Sequence, residues 1–200
     1  MTPTATPRDP YRSTRLFYRA LRGQEDDGLF AAINNDRIGY MNSNVSNIRL
    51  PSPEDAIAFR KAVAQEMLAA IICLPDPDYK GSKPGEAIGQ IHLKGPSPAL
   101  MHHRHAEIGI DLLPQYQGKG YGSEAIRWVL EYAFVRAGLH KLRIRAFEWN
   151  VGAMRLYVRL GFKLEGRERE SLWHEGRFWD GMEYGMIDRE WWEMREKMEL

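Results

Sequence analysis

The sequence predicts an α+β fold: a mixed, mostly antiparallel central sheet flanked by helices. Three observations carry it. Strand-like runs at 67–74, 86–94 and 105–113 follow one another across polar loops, so they pair as antiparallel hairpins. After them, helix and strand periodicities alternate, as right-handed crossover units do. Near the end, Glu175-Gly176 joins two further strand-like runs through a tight turn.

Each element has a local reason. Residues 1–13 hold Pro3, Pro7 and Pro10 with several threonines and no periodicity, which predicts a disordered leader. Residues 14–21 alternate around Leu16, Tyr18 and Ala20 as a strand does, and 25–35 place Leu29, Phe30 and Ile33 at helical spacing. Ser52-Pro53-Glu54-Asp55 is a helix start, with a capping serine, a proline at the first helical position and acids in the first turn; that helix runs to about residue 65. The run 67–74 is apolar enough for a buried strand, and 75–85 (PDPDYKGSKPG) is a long hairpin loop. In 105–113, Ala106, Ile108, Ile110 and Leu112 share one face. A helix over 120–136 carries Ala125, Trp128, Val129, Tyr132 and Ala133 on one side, and Gly138 closes it. A strand at 141–147, a helix at 150–160 closed by Gly161, and strands at 162–171 and 178–187 complete the set. The catalytic domain is therefore expected over 14–189, with a charged tail at 190–200 carrying Trp191 and Trp192.

Composition narrows the function classes. A chain of 200 residues suits one domain and buries a core without staples. With 28 Lys+Arg against 27 Asp+Glu, the net charge of +1 gives no reason to expect a nucleic-acid or membrane binder. The single cysteine, Cys73, excludes an intrachain disulfide and a cysteine-based structural zinc site, and its strand position reads as core. The start has no apolar stretch, and no run approaches a membrane span, so a cytoplasmic protein is expected.

The chemistry sits in Leu112-Leu113-Pro114-Gln115-Tyr116-Gln117-Gly118-Lys119-Gly120-Tyr121-Gly122-Ser123. A strand leads in and a helix leads out. Glycines at alternate positions let the backbone turn sharply and bring N–H groups to a helix N-terminus, which suits a phosphate or pyrophosphate. The alternative is a tight turn with no ligand. A P-loop fails, because Gly120 and not Ser or Thr follows Lys119. The dinucleotide fingerprint fails on glycine spacing and on the absence of an acid at the end of the next strand. No G-x-S-x-G elbow surrounds Ser123.

Gln117-x-x-Gly120-x-Gly122 after a strand resembles the acetyl-CoA pyrophosphate loop of the GNAT N-acetyltransferase superfamily. Thirty residues on, Asn150-Val151-Gly152-Ala153-Met154-Arg155-Leu156-Tyr157-Val158-Arg159-Leu160-Gly161-Phe162 is similar to that family's N-x-x-A-x-x-x-Y-x-x-x-G-F helix. Ala106-Glu107-Ile108-Gly109 and Gly161-Phe162-Lys163-Leu164-Glu165-Gly166 add similarity to the RimJ/RimL-like branch, which includes spermidine acetyltransferases. The resemblance implies the acyl-CoA N-acyltransferase fold and acetyl transfer from acetyl-CoA to a primary amine by direct attack, with no metal.

It also implies roles. Backbone N–H groups of Leu112 and Leu113 would face the acetyl carbonyl and pantetheine. Those of Gln117, Gly118, Lys119, Gly120, Tyr121, Gly122 and Ser123 would face the pyrophosphate. Tyr157 would protonate the departing thiolate, with a core tyrosine as the bland alternative. Asn150, with Ala153 in the next turn, would line the CoA side, although capping alone explains an asparagine there. Glu107 would take the amine proton or bind a cationic substrate, unless it only pairs with Arg143 or Arg145. His102, His103 and His105 read as solvated rather than metal-binding. Trp149, Trp173 and Trp179 could line an acceptor pocket or simply pack.

The acceptor is expected to be a small amine or a protein α-amine. Spermidine-type enzymes carry acids in an early helical region; here 40–51 (YMNSNVSNIRLP) has none, which counts against a polyamine. A polyamine acetyltransferase and a non-catalytic acyl-CoA sensor are the alternatives. The tryptophan-bearing tail and the 173–179 hairpin offer surfaces for a homodimer.

Overall fold

Residues 68–112 fold as the antiparallel meander expected from their short polar connections. In the computed structural model, which describes residues 9–199, these are β2 (Leu68–Pro75), β3 (Pro84–Lys94) and β4 (His105–Leu112). β1 (Phe17–Arg19) pairs with β2 on the outside. Beyond β4 come β5 (Lys141–Phe147), β6 (Lys163–His174) and β7 (Arg177–Ile187), and the sheet order is β1-β2-β3-β4-β5-β7-β6. Every neighbouring pair is antiparallel except β4 and β5. The predicted mixed, mostly antiparallel sheet is thus what the chain forms.

Period-2 alternation sends side chains to two layers. Ile72, Ile91, Leu93, Ile108, Leu142 and Ile144 face α4 (Tyr121–Glu131) and α5 (Val151–Arg159) in the main core. Phe17, Ile71 and Cys73 face the other way, against α1 (Asp27–Asn35) and α3 (Pro53–Val63), where Phe30 and Val63 close a smaller core. Cys73 is fully buried there and burial raises its thiol pKa, as befits a packing residue. Ser52 caps α3 through a reciprocal capping box with Asp55. Glu175 (φ 49°) and Gly176 (φ 79°) form the left-handed pair that a two-residue hairpin between β6 and β7 needs.

Two helices go beyond the predicted order. α2 (Arg37–Ser43) buries only Tyr40 and leaves Ile38 75% exposed, so it shows no apolar stripe. α6 (Asp188–Glu199) takes up most of the expected tail; Trp191 is buried on Phe134, with ring centroids 5.7 Å apart. The helix predicted at 25–35 opens with a 3-10 turn over Gly23–Asp26, and the one at 120–136 closes with a π turn over Tyr132–Arg136. Of the expected leader, residues 1–8 lie outside the described residues. Residues 10–13 make specific bonds: Pro10 O accepts from Trp128 Nε1 at 2.9 Å, Tyr11 O from the Tyr18 amide, and Ser13 Oγ donates to Glu124 Oε1 at 2.7 Å.

What positions the site is the partial pairing of β4 with β5. Only His105, Ala106 and Glu107 pair, with Lys141, Leu142 and Arg143. Past that point β4 stays on β3 and β5 on β7, so the two strands part. The far half of β4 thereby presents an open edge in the middle of the sheet.

Candidate active site

The open edge of β4 ends at the glycine loop. The Leu113 N–H donates to Ile88 O at 2.9 Å, so by antiparallel alternation the amides of Ile110 and Leu112 point away from β3, into the gap. Of the two N–H groups expected to face a ligand, Leu113's is therefore committed to the sheet and Leu112's is not. The Leu112 carbonyl accepts from Gln117 Nε2 at 2.8 Å, which ties the loop back to the strand end.

After a 3-10 turn over Pro114–Tyr116, Gly118 (φ 69°) and Gly120 (φ 83°) take left-handed conformations that cost most other residues strain. α4 then starts from Gly120 with no side-chain cap among the described residues. The Gln117 N–H is used by Pro114 O; the amides from Gly118 to Ser123 have no acceptor among the described residues. A run of open donors at the positive end of an eleven-residue helix fits a pyrophosphate. Lys119 is exposed at the tip, with its ammonium 5.7 Å from the Tyr116 ring.

α5 closes the other side. Asn150 Oδ1 caps it by accepting from the Ala153 amide at 3.1 Å, so capping is the role the structure gives Asn150. Leu112 and Leu156 both border Gly122, where β4, α4 and α5 meet. Tyr157 is 7% exposed, and its hydroxyl makes no hydrogen bond among the described residues. Burial pushes its pKa up, and the nearby Asp111 and Tyr184 push it further, so the phenol keeps its proton throughout the neutral range.

The family model described as an acetyltransferase (GNAT) domain matches residues 15–163. The chain is a GNAT acetyltransferase. A Bacillus subtilis relative, named uncharacterized N-acetyltransferase YoaA, is 29% identical over 178 residues, 86% of this chain and 93% of that one. A spermidine N(1)-acetyltransferase of Vibrio cholerae is 37% identical over 78 residues, which are 39% of this chain and 45% of the relative. A GNAT-family acetyltransferase from Bacillus anthracis superposes at TM-score 0.73 and 20% identity, over 90% of this chain and 98% of that one. The Vibrio cholerae spermidine N-acetyltransferase solved with CoA and spermine gives 0.70 at 24% identity, over 90% and 99%. At these identities the structural likeness is one of fold.

Other predicted residues of this GNAT enzyme lie outside the gap. Glu107 accepts from Arg145 Nε at 2.9 Å, the ion pair that its strand neighbours suggested, at the closed end where β4 and β5 still pair. His102 and His103, on the turn before β4, and His105, the first residue of β4, lie together, with the first two rings 3.9 Å apart; His105 is not solvated as expected, because its Nδ1 is buried without a partner among the described residues, and among those residues no three His, Cys, Asp or Glu side chains are placed to hold a metal. Trp149 stacks on His174 (4.2 Å) and meets Trp179 edge-on (5.8 Å) beyond the end of β5, with its indole N–H buried and without a partner among the described residues. Trp173 is 58% exposed at the hairpin tip beside Phe178. Among the described residues no helix is long and apolar enough to cross a membrane.

Sequence reasoning missed four residues that the GNAT fold brings to the loop. Arg15 donates to Lys119 O at 3.1 Å, pairs with Glu124 at 2.7 Å and lies over the Tyr121 ring at 4.7 Å. Glu124, in the first turn of α4, is neutralised by that pair. Asp36, between α1 and α2, accepts weakly from Gln117 Nε2 at 3.3 Å. Asp111, one residue before Leu112, accepts from Gln90 Nε2 at 2.7 Å. Only Asp111 left a trace in the sequence: by strand alternation it shares a face with Glu107.

Proposed function

We propose that this GNAT enzyme transfers an acetyl group from acetyl-CoA to a primary amine by direct attack. One observation carries the reading: the β4 edge opens at Asp111, whose charge acts on Tyr157, and leads through a short turn into a glycine-rich helix start without a side-chain cap among the described residues. The amides from Gly118 to Ser123 suit the pyrophosphate, and the Leu112 amide suits the thioester carbonyl, where an N–H stabilises the oxyanion of the tetrahedral intermediate. The Tyr157 phenol suits the departing sulfur. Its raised pKa keeps a proton on the oxygen, which supports a hydrogen bond donated to the sulfur as the C–S bond breaks.

The acceptor we propose is a small primary amine or a protein α-amine. A polyamine is a second reading. Its support is the named spermidine acetyltransferase relatives and the two carboxylates, Asp36 and Asp111, near the strand end, which favour a cation. Acetyl-CoA incubated with a panel of monoamines, polyamines, amino-acid amides and short peptides, read as thiol release and product mass, tests both. Thiol release that tracks one amine class names the acceptor. Release at the hydrolysis rate across the whole panel overturns the transferase reading.

A further inference from the structure

We propose that Asp111 takes the proton from the acceptor amine, with Gln90 and His92 as the residues that position it. This rests on the transferase reading above and names a residue for a step that reading leaves open.

The geometry starts with strand parity. Ile110 and Leu112 belong to the main core and Tyr157 stands with them; Asp111 therefore faces the opposite layer, where α1 and α2 meet the sheet. Base and acid would flank the gap from its two faces, with the Leu112 amide between. Glu107 points the same way as Asp111 but lies four residues earlier, about 13 Å along the strand, and its carboxylate is taken by Arg145.

Asp111 is held at one oxygen and open at the other. Gln90, fully buried on β3, donates Nε2–H to Oδ2 at 2.7 Å, and its own Oε1 lies 2.9 Å from His92 Nδ1. The acceptor-only carboxylate fixes which way the Gln90 amide faces, and that in turn requires the proton of His92 on Nδ1. The His92 ring occupies the space over Gly109 that any Cβ there would strike. Oδ1 of Asp111 has no partner among the described residues, and the residue is half-buried, not sealed. Burial raises the Asp111 pKa, the Gln90 hydrogen bond lowers it, and Asp36 raises it again; the net direction is up, toward the range where a carboxylate works as a base near neutral pH.

The step balances. The acceptor enters as an ammonium ion, drawn by Asp111 and Asp36. One proton passes to Asp111 Oδ1. The neutral amine attacks the thioester carbon, the N–C bond forms and the carbonyl pair moves onto oxygen at the Leu112 amide. The C–S bond then breaks, and the sulfur takes a proton from Tyr157. The amide nitrogen loses its second proton through water to Tyr157, and Asp111 returns its proton to solvent. Net, ammonium and acetyl-CoA give amide, CoA thiol and one proton. The two groups are coupled: the Asp111 charge is one of the causes that raise the Tyr157 pKa, so a proton on Asp111 makes negative charge across the gap cheaper at the moment it develops.

The test is the pH profile of kcat/KM in the wild type, Asp111→Asn, Gln90→Met and Glu107→Gln, with acetyl-CoA affinity measured alongside. The wild type should lose activity as pH falls through a raised carboxylate pKa. Asp111→Asn should lower kcat/KM by about 10²- to 10⁴-fold near neutrality. It should also lose that limb, rising tenfold per pH unit toward the pKa of the amine, while binding acetyl-CoA like the wild type. Gln90→Met, which removes a hydrogen bond to the charged form, should shift the limb to higher pH. Glu107→Gln should keep the limb in place. The proposal is overturned if Asp111→Asn stays within threefold of the wild type with its limb intact, or if the limb vanishes in Glu107→Gln instead. If Asp111→Asn fails to bind acetyl-CoA, Gln90→Met decides, and an unmoved limb overturns the assignment. A wild type that binds acetyl-CoA and acetylates nothing overturns the transferase reading itself.

Discussion

The Leu113 amide donates to Ile88 O at 2.9 Å, and this bond decides which amide at the end of β4 is left for a ligand. Because strand amides alternate, Leu112 is the one aimed into the gap. An ester in place of the Leu112 amide, introduced by semisynthesis, should leave stability nearly unchanged and lower kcat by about 10²-fold, the usual effect of losing one oxyanion donor. The same change at Leu113 should cost about 1 kcal/mol of stability, the worth of one sheet hydrogen bond. Equal losses of kcat at both sites would show that the strand end only needs to be intact.

Three glycines of the loop should respond differently to alanine. Gly120 has φ 83° and a Cβ there would come within 3.2 Å of the Arg15 guanidinium; Gly118 has φ 69°, and a Cβ there would meet none of the described residues within 4 Å. Both substitutions should cost about 1–2 kcal/mol from left-handed strain, with Gly120→Ala the costlier. Gly122 lies inside α4, and a Cβ there meets Leu112 at an ordinary 3.6 Å. Gly122→Ala should therefore hold or raise Tm, by the propensity gain of up to about 1 kcal/mol. Thermal melts of the three variants check the ranking, and a drop in Tm for Gly122→Ala would contradict it.

His92 sets a pH dependence of stability with a definite sign. Burial lowers its pKa from 6.5 to about 4, opposed by Glu107 and helped by Lys94. The unfolded chain takes up this proton at higher pH than the folded one, so stability is complete above about pH 6.5 and falls as pH drops toward 4. At 1.36 kcal/mol per unit the loss approaches about 3 kcal/mol. Urea unfolding of the wild type and His92→Gln at pH 7 and 4.5 should show the gap between them changing in the variant's favour at low pH. A constant gap would mean that His92 titrates alike in both states.

Much of the fold was legible because its signals are local. The Ser52 cap, the Glu175-Gly176 turn and the glycines after β4 act on their immediate neighbours, and each element they bound lies within a few residues of its expected place. The site was legible in part. Tyr157 and the loop amides come from a resemblance carried by two motifs, each contiguous in the sequence. Which β4 amide stays open depends on Ile88, and whether Glu107 is available depends on Arg145; both are set by sheet register, which spacing does not encode. Arg15 reaches the loop across more than a hundred residues of chain, a contact that the local alternation of 14–21 does not encode. α2 was missed because it buries one side chain, so its sequence carries no stripe to read.

The end of the chain supplies the last test. α6 looks like a charged tail in composition, yet Trp191 is 6% exposed against Phe134, and the Met194 sulfur lies close over Gly161, whose φ of 94° closes α5. Burying an indole of this size contributes several kcal/mol, so Trp191→Ala should cost about 3–5 kcal/mol. Trp192 is 43% exposed, so Trp192→Ala should cost less than 1 kcal/mol. Because Gly161 joins α5 to β6, loosening α6 frees the C-terminal end of the helix that carries Tyr157, and the Trp191 variant should lose kcat before it loses acetyl-CoA affinity. Denaturant midpoints for the two variants, with kcat measured well below the midpoint, separate these effects. If Trp191→Ala proves as stable as Trp192→Ala, α6 is an appendage after all and the domain ends at β7.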